Sequence, residues 1–277
     1  MSSTTIQSVP AAQAAPASRP LTDIGTMLRR NLRHAQRYPG LSLGALGMPV
    51  IMILLFGLVF GNTFAAGLGG GGGRGAYINF LTPGILLMSI ASGTMSPAVA
   101  VCIDMTEGIV ARFRTMAIFR PAVLAGHVLG NVLLTIVSLA LVVGFAILIG
   151  FRPNASVVDW LLAAGLLIGV TFALTWFAIA LGLTSKTPES ASNIVLPISL
   201  LLPFLSNTFI PLQSMPSGIR WFAEYQPFTP IINTLRHLML GTPMDGGDGW
   251  LSLAWCLVIA VVGYFWAQKN YNKGTVA

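Results

Sequence analysis

The chain has 277 residues, of which 55% are hydrophobic and only 8% charged, and its mean hydropathy of +0.78 excludes an ordinary soluble domain. None of its 15 Lys and Arg or 8 Asp and Glu falls inside any of six long apolar stretches, each about long enough to cross a hydrocarbon core of ~30 Å. The net charge of +7 is therefore a matter of membrane orientation, not a nucleic-acid footprint.

Residues 1–20 are rich in Ala, Ser, Thr, Gln and Pro and lack both regions of a signal peptide, so they read as a disordered cytoplasmic tail. From Leu21 to Tyr38 the apolar residues Leu21, Ile24, Met27, Leu28, Leu32 and Ala35 recur at helical spacing, with Arg29, Arg30, Arg33 and Arg37 projecting the other way. Thr22 suits the cap, Asp23 the positive helix end and Pro39-Gly40 the stop. The pattern predicts an amphipathic helix over 21–38 on the inner membrane surface. A plain positive flank to the first span is the alternative.

The remainder, 39–277, reads as a six-helix transmembrane domain with spans about 41–61, 77–103, 122–150, 160–183, 191–210 and 250–267. Residues 62–76 between the first two are a glycine-dominated external loop. Gly67, Gly69 and Gly72 match a dinucleotide fingerprint there, but no βαβ unit surrounds them. Small residues four apart, at Gly57 and Gly61, Gly126 and Gly130, and Gly165 and Gly169, predict close helix approach.

Asp104 to Pro121 joins the second and third spans on the cytoplasmic side. Glu107 through Phe119 can be helical, with Ile109, Phe113 and Met116 on one face and Arg112, Arg114 and Arg120 free for a partner. Such a helix suits docking into a groove on a cytoplasmic protein; basic topology anchors are the alternative. The fifth span carries Pro197 and Pro203 and is expected to be kinked. Beyond it, Pro216 to Glu224 can form a short helix, and a second has Thr229 as N-cap, Pro230 at its first position and Gly241 as C-cap. The latter's body, Ile231 to Leu240, is too short to span, which predicts an external re-entrant helix pair.

With both termini cytoplasmic, eleven Lys and Arg lie inside and four, Arg74, Arg152, Arg220 and Arg236, lie outside. The cytoplasmic excess can meet anionic headgroups. An ion-coupled transporter needs an ionisable group at membrane depth, and the spans offer only His127, Cys102, Cys256 and a few tyrosines. A membrane-embedded enzyme, such as an acyltransferase, would need a clustered acid, base or metal set, yet His34, His127 and His237 occupy three separate places. No catalytic or metal-binding residues are assigned. No P-loop pattern occurs either, so ATP and Mg are expected on a separate ATPase chain.

Asp104-Met-Thr-Glu-Gly108, Arg112-Phe113-Arg114 and Phe119-Arg120-Pro121 closely resemble the signature segment of type-2 ABC exporter permeases of the daunorubicin and doxorubicin resistance kind. Gly150-Phe151-Arg152-Pro153, Leu181-Gly182-Leu183 with Thr187-Pro188, and Phe204-Leu205-Ser206-Asn207 with Met215-Pro216 extend the resemblance over nearly all of the chain from Leu21. The family's proline shortly after Arg-Phe-Arg is absent, Thr115-Met116-Ala117 standing there. The resemblance implies six transmembrane helices, an N-terminal connecting helix and a coupling helix, with Asp104, Glu107, Gly108, Arg112, Phe113, Arg114 and Arg120 as ATPase-coupling residues. It also implies two ATPase copies, a second permease copy or a similar permease, and a path lined by the second and fifth spans. Those spans offer Ser89, Ser92, Ser96, Asn193, Ser199, Ser206 and Asn207, for each of which helix packing is the alternative role. A weakly polar path suits a drug, antibiotic or lipid; a lipid- or glycan-exporting ABC permease is the nearest variant.

Overall fold

The computed structural model of the chain describes residues 25, 47–66, 73–107, 121–244 and 246–273. The tail 1–20, the connecting helix with Arg29, Arg30, Arg33 and Arg37, and Gly108, Arg112, Phe113, Arg114 and Arg120 of the coupling segment lie outside the described residues.

Every regular element among the described residues is helical. The first predicted span is represented by α1, Gly47–Val59, which winds as a π-helix from Ile53–Val59, and by the short α2, Gly61–Ala66. The break between them, at Phe60, falls between Gly57 and Gly61. A Cβ on Gly57 would stand 3.1 Å from the Ile78 side chain, and one on Gly61 2.7 Å from that of Arg74. This predicted small-residue pair does permit close approach.

Next come α3, Gly73–Gly93, and α4, Met95–Thr106, which together form one 34-residue rod. Its interruption at Thr94 has a local cause. Pro97 has no N–H to return to the Gly93 carbonyl, and the Thr94 hydroxyl instead donates to the Ala91 carbonyl at 2.6 Å. The third span is α5, Pro121–Ile149. The fourth is α6, Val157–Thr184, opened by a reciprocal capping box between Ser156 and Asp159. Thr187 caps α7, Pro188–Phe204, whose Pro197 and Pro203 lie inside the helix. After a 3₁₀ turn at Leu212–Ser214 come α8, Ser217–Tyr225, α9, Phe228–Leu240, and α10, Asp248–Lys273.

Among the described residues four helical stretches are long and apolar enough to span: Gly73–Thr106, Val123–Ile149, Val157–Thr184 and Asp248–Asn272. α7, with 17 residues, is shorter. The rod α3–α4 and α6 are largely buried, whereas α5 and α10 offer most of their apolar surface outward, the pattern expected where lipid is the solvent. The closest helix contacts occur at glycines outside the predicted pairs. Gly182 of α6 lies against the Ala98 carbonyl of α4, and a Cβ on Gly263 of α10 would stand 2.6 Å from the Phe177 backbone nitrogen. Gly165 and Gly169, expected to mediate such contacts, have nothing within 4 Å of a Cβ position. The motif supplies room for a neighbour, but among the described residues no backbone arrives beside Gly165 or Gly169.

Candidate functional site

Polar side chains gather at the two ends of this bundle. At the end expected to face outward, α9 is packed among α3, α6 and α10, burying Ile232, Leu235 and Met239 completely. Its C-terminus is set as the sequence predicts, Gly241 adopting the left-handed conformation with φ +68°. Its start is not. The helix begins two residues earlier, at Phe228 after Pro227, and Thr229 is inside it, its hydroxyl buried without a partner. The Pro230 ring fixes the first turn without needing a side-chain cap.

Arg236, placed outside as a topology charge, is in fact buried, 7% exposed. Its Nε donates to the Phe80 carbonyl at 3.0 Å and its Nη2 to the Asn207 carbonyl at 2.6 Å. The guanidinium carbon lies 3.7 Å from the centre of the Phe80 ring. Desolvation lowers its pKa to about 9, so it remains a cation at neutral pH. From Asn207 the network continues: its amide donates to the Asn233 side chain, which donates at 2.9 Å to the Asp248 carboxylate at the start of α10. Thr234 and Ser252 share a hydrogen bond at 2.9 Å, and the Tyr77 hydroxyl donates to the Phe209 carbonyl at 3.1 Å. One buried cation thereby ties α9 to α3 and to the turn that follows α7.

At the opposite end, Asp104 occupies the last turn of α4 and His127 the second turn of α5, with Nε2 and Oδ2 2.9 Å apart. Their side chains are 11% and 6% exposed. Asp104 is thus inside the helix bundle, not on an exposed loop. Glu107, by contrast, is exposed at the α4 C-cap, its N–H returned to the Ile103 carbonyl.

The proposed path residues fall into three groups. Ser89 is buried with an unpartnered hydroxyl, Ser92 donates to the Ser89 carbonyl at 3.1 Å, and Ser96 is exposed. Asn193 is exposed, whereas Ser199 is buried and borders, with Thr94 and Phe228, a small cavity of about 20 Å³. Ser206 and Asn207 are both buried at the outer polar network, Ser206 bonding Thr208 at 2.8 Å. The structure does not bring the seven together into one surface.

Sequence reasoning missed Arg236, Asn233 and Phe80 as a unit. A signal existed in Arg236 itself: it stands between the apolar residues Leu235 and Leu238–Leu240 of a helix too short to span, and a cation there must find partners if it is buried.

Several long apolar helices with buried polar ties at both ends define a polytopic membrane protein. The chain belongs to the ABC-2 type transporter family, which matches residues 22–240. It is 29% identical over 240 residues to a daunorubicin resistance ABC transporter permease protein of Streptomyces coeruleorubidus, covering 87% of this chain and 82% of that one. A doxorubicin resistance ABC transporter permease protein of Mycobacterium tuberculosis is 24% identical over 236 residues, 80% of each chain. ABC transporter G family member 20 of Dictyostelium discoideum is 26% identical over 205 residues, 70% of this chain but only 28% of that protein. The chain is accordingly the transmembrane permease subunit of an ABC exporter.

Proposed function

We propose that this permease moves an amphipathic or lipophilic compound, a drug, antibiotic or lipid, out of the cell, driven by two copies of a separate ATPase. The observation that carries the reading is the match across 80% or more of permeases whose names specify daunorubicin and doxorubicin resistance. The mostly uncharged surfaces of α3, α4 and α7 agree with such a cargo. Six spans form the transmembrane unit, with 41–61 and 191–210 crossing beside the four long helices and both termini cytoplasmic. A second copy, or a similar permease, completes the exporter. Glu107, Gly108, Arg112, Phe113, Arg114 and Arg120 engage the ATPase, and 21–38 lies along the inner membrane surface as the connecting helix. Closure of the ATPase pair then biases the bundle between inward and outward states.

Reconstituting the purified chain with and without a co-expressed ATPase tests this. ATP-dependent efflux of a lipophilic dye is expected only with both chains. Nucleotide hydrolysis by the permease alone, well above contaminant level, would overturn the division of labour.

A further inference from the structure

Asp104 and His127 each sit at the wrong end of a helix. A carboxylate in the last turn of α4 faces the negative end of that dipole, and a protonated imidazole early in α5 would face the positive end of its own. Burial adds a second cost, since an ionised pair loses more hydration than a surface one recovers. A pair that is a poor source of stability yet joins two helices at 2.9 Å calls for another role.

The surroundings supply one. One turn back from Asp104, Val101 belongs to a buried apolar cluster with Leu124 and Val128 of α5, Trp176 and Ile179 of α6 and Tyr271 of α10. On the neighbouring face of α4, Ala98 lies against Gly182, and the Cys102 thiol approaches the Ser185 carbonyl at 3.6 Å. The α4 end is therefore in backbone contact with α6. Toward α5, Asp104 and His127 add a direct polar tie to the apolar packing.

We infer that Asp104 and His127 form an internal clasp that makes the ends of the second and third spans move as one body, so that a push delivered to either by the ATPase reaches both. This rests on the ATPase-driven reading above, but it assigns Asp104 a partner inside the permease instead of a contact on the ATPase. Both are positioning residues. Without the clasp, α4 can follow a displacement with α6 while α5 lags, and hydrolysis proceeds with less transport.

The test uses the assembled permease–ATPase complex in proteoliposomes, comparing D104N, H127Q and the swapped double variant D104H/H127D. The expected result is a fall of about tenfold in transport per ATP hydrolysed for each single variant, with the ATPase still co-purifying and hydrolysing, and recovery to within about threefold in the swap. Loss of ATPase binding in D104N would instead make Asp104 a direct docking residue and overturn the clasp. So would single variants that transport per ATP as the parent does, or a swap no better than the singles. Should the single variants fail to assemble, D104C/H127C without Cys102 and Cys256, bridged by a short bifunctional thiol reagent, decides the matter: coupling is expected only when bridged, and equal coupling with and without the bridge refutes the proposal. Failure of the ATPase-driven reading is distinguishable, because the parent complex would then show no ATP-dependent transport at all.

Discussion

Replacing Arg236 with Ala should release α9 from the bundle. The bond from Nη2 to the Asn207 carbonyl at 2.6 Å is charge-assisted, and such bonds contribute about 1.5–3 kcal/mol. Asn207 lies in the turn after α7, where no helix ladder stands ready to serve its carbonyl. Phe80 is inside α3 and its carbonyl keeps a helical acceptor role, so loss of the 3.0 Å bond is assigned only about 1 kcal/mol. Contact with the Phe80 ring adds about 1 kcal/mol. Against these stands relief of a buried charge, which offsets part of that sum. The net is about 3 kcal/mol, or roughly a hundredfold in the undocked population at ~1.4 kcal/mol per factor of ten. Met239, fully buried on α9, provides the probe: Met239→Cys, in a chain without Cys102 and Cys256, reacts with a soluble maleimide only when α9 lifts away. Arg236→Ala should speed that labelling about a hundredfold. A rate within threefold of the parent would show that the guanidinium does not hold the hairpin.

The glycine contacts give a contrast within one protein: Gly263→Ala, which drives a methyl to 2.6 Å from the Phe177 backbone nitrogen, should lower accumulation in the membrane several-fold, while Gly169→Ala, with open space around it, should not, as read by fluorescence-detected gel filtration. A cysteine at Ser217, at the start of α8, is expected to label from outside the cell; labelling only from the cytoplasm would reject the proposed orientation. Glu107→Ala, or reversal of Arg112 and Arg114 to Glu, should leave insertion intact yet uncouple hydrolysis from transport or weaken ATPase binding, a lost buried charged contact costing about 2–5 kcal/mol. Normal transport with normal ATPase binding would make 108–120 a passive tether.

What was legible in the sequence is what one-dimensional pattern controls. Long uncharged runs located the four spanning helices, because a backbone surrounded by lipid must satisfy its own hydrogen bonds. The Gly241 stop was legible because a left-handed terminus favours glycine. Thr229 was misjudged because a proline one residue later competes for the same turn. Nothing in a single sequence says which face of α6 meets α10. Hence Gly165 and Gly169 drew attention, while the real approach occurs at Gly182 and Gly263, where opposing backbones determine the contact. Arg236 reads as an external topology charge until its two carbonyl partners, from Phe80 and Asn207, are seen to converge from segments far away in sequence.

The same limit bears on how energy enters the protein. The lack of charges in the spans argues against ion coupling, and the structure places three carboxylates, Asp104, Asp159 and Asp248, within the spanning stretches, each in a first or last helical turn. These residues do not revive an ion-coupled scheme. A coupling carboxylate must load and unload its ion near the middle of the membrane, whereas Asp104 lies in the last turn of α4, two residues before its end at Thr106, and is engaged by His127. Of the other two acids, Asp159 serves the capping box at the start of α6, and Asp248 stands at the first position of α10, bonded to Asn233. Asp104 and Asp248 bind helices to one another at the ends of the bundle. In the proposed scheme they transmit displacement, the arrangement a permease needs when the work is done by another chain.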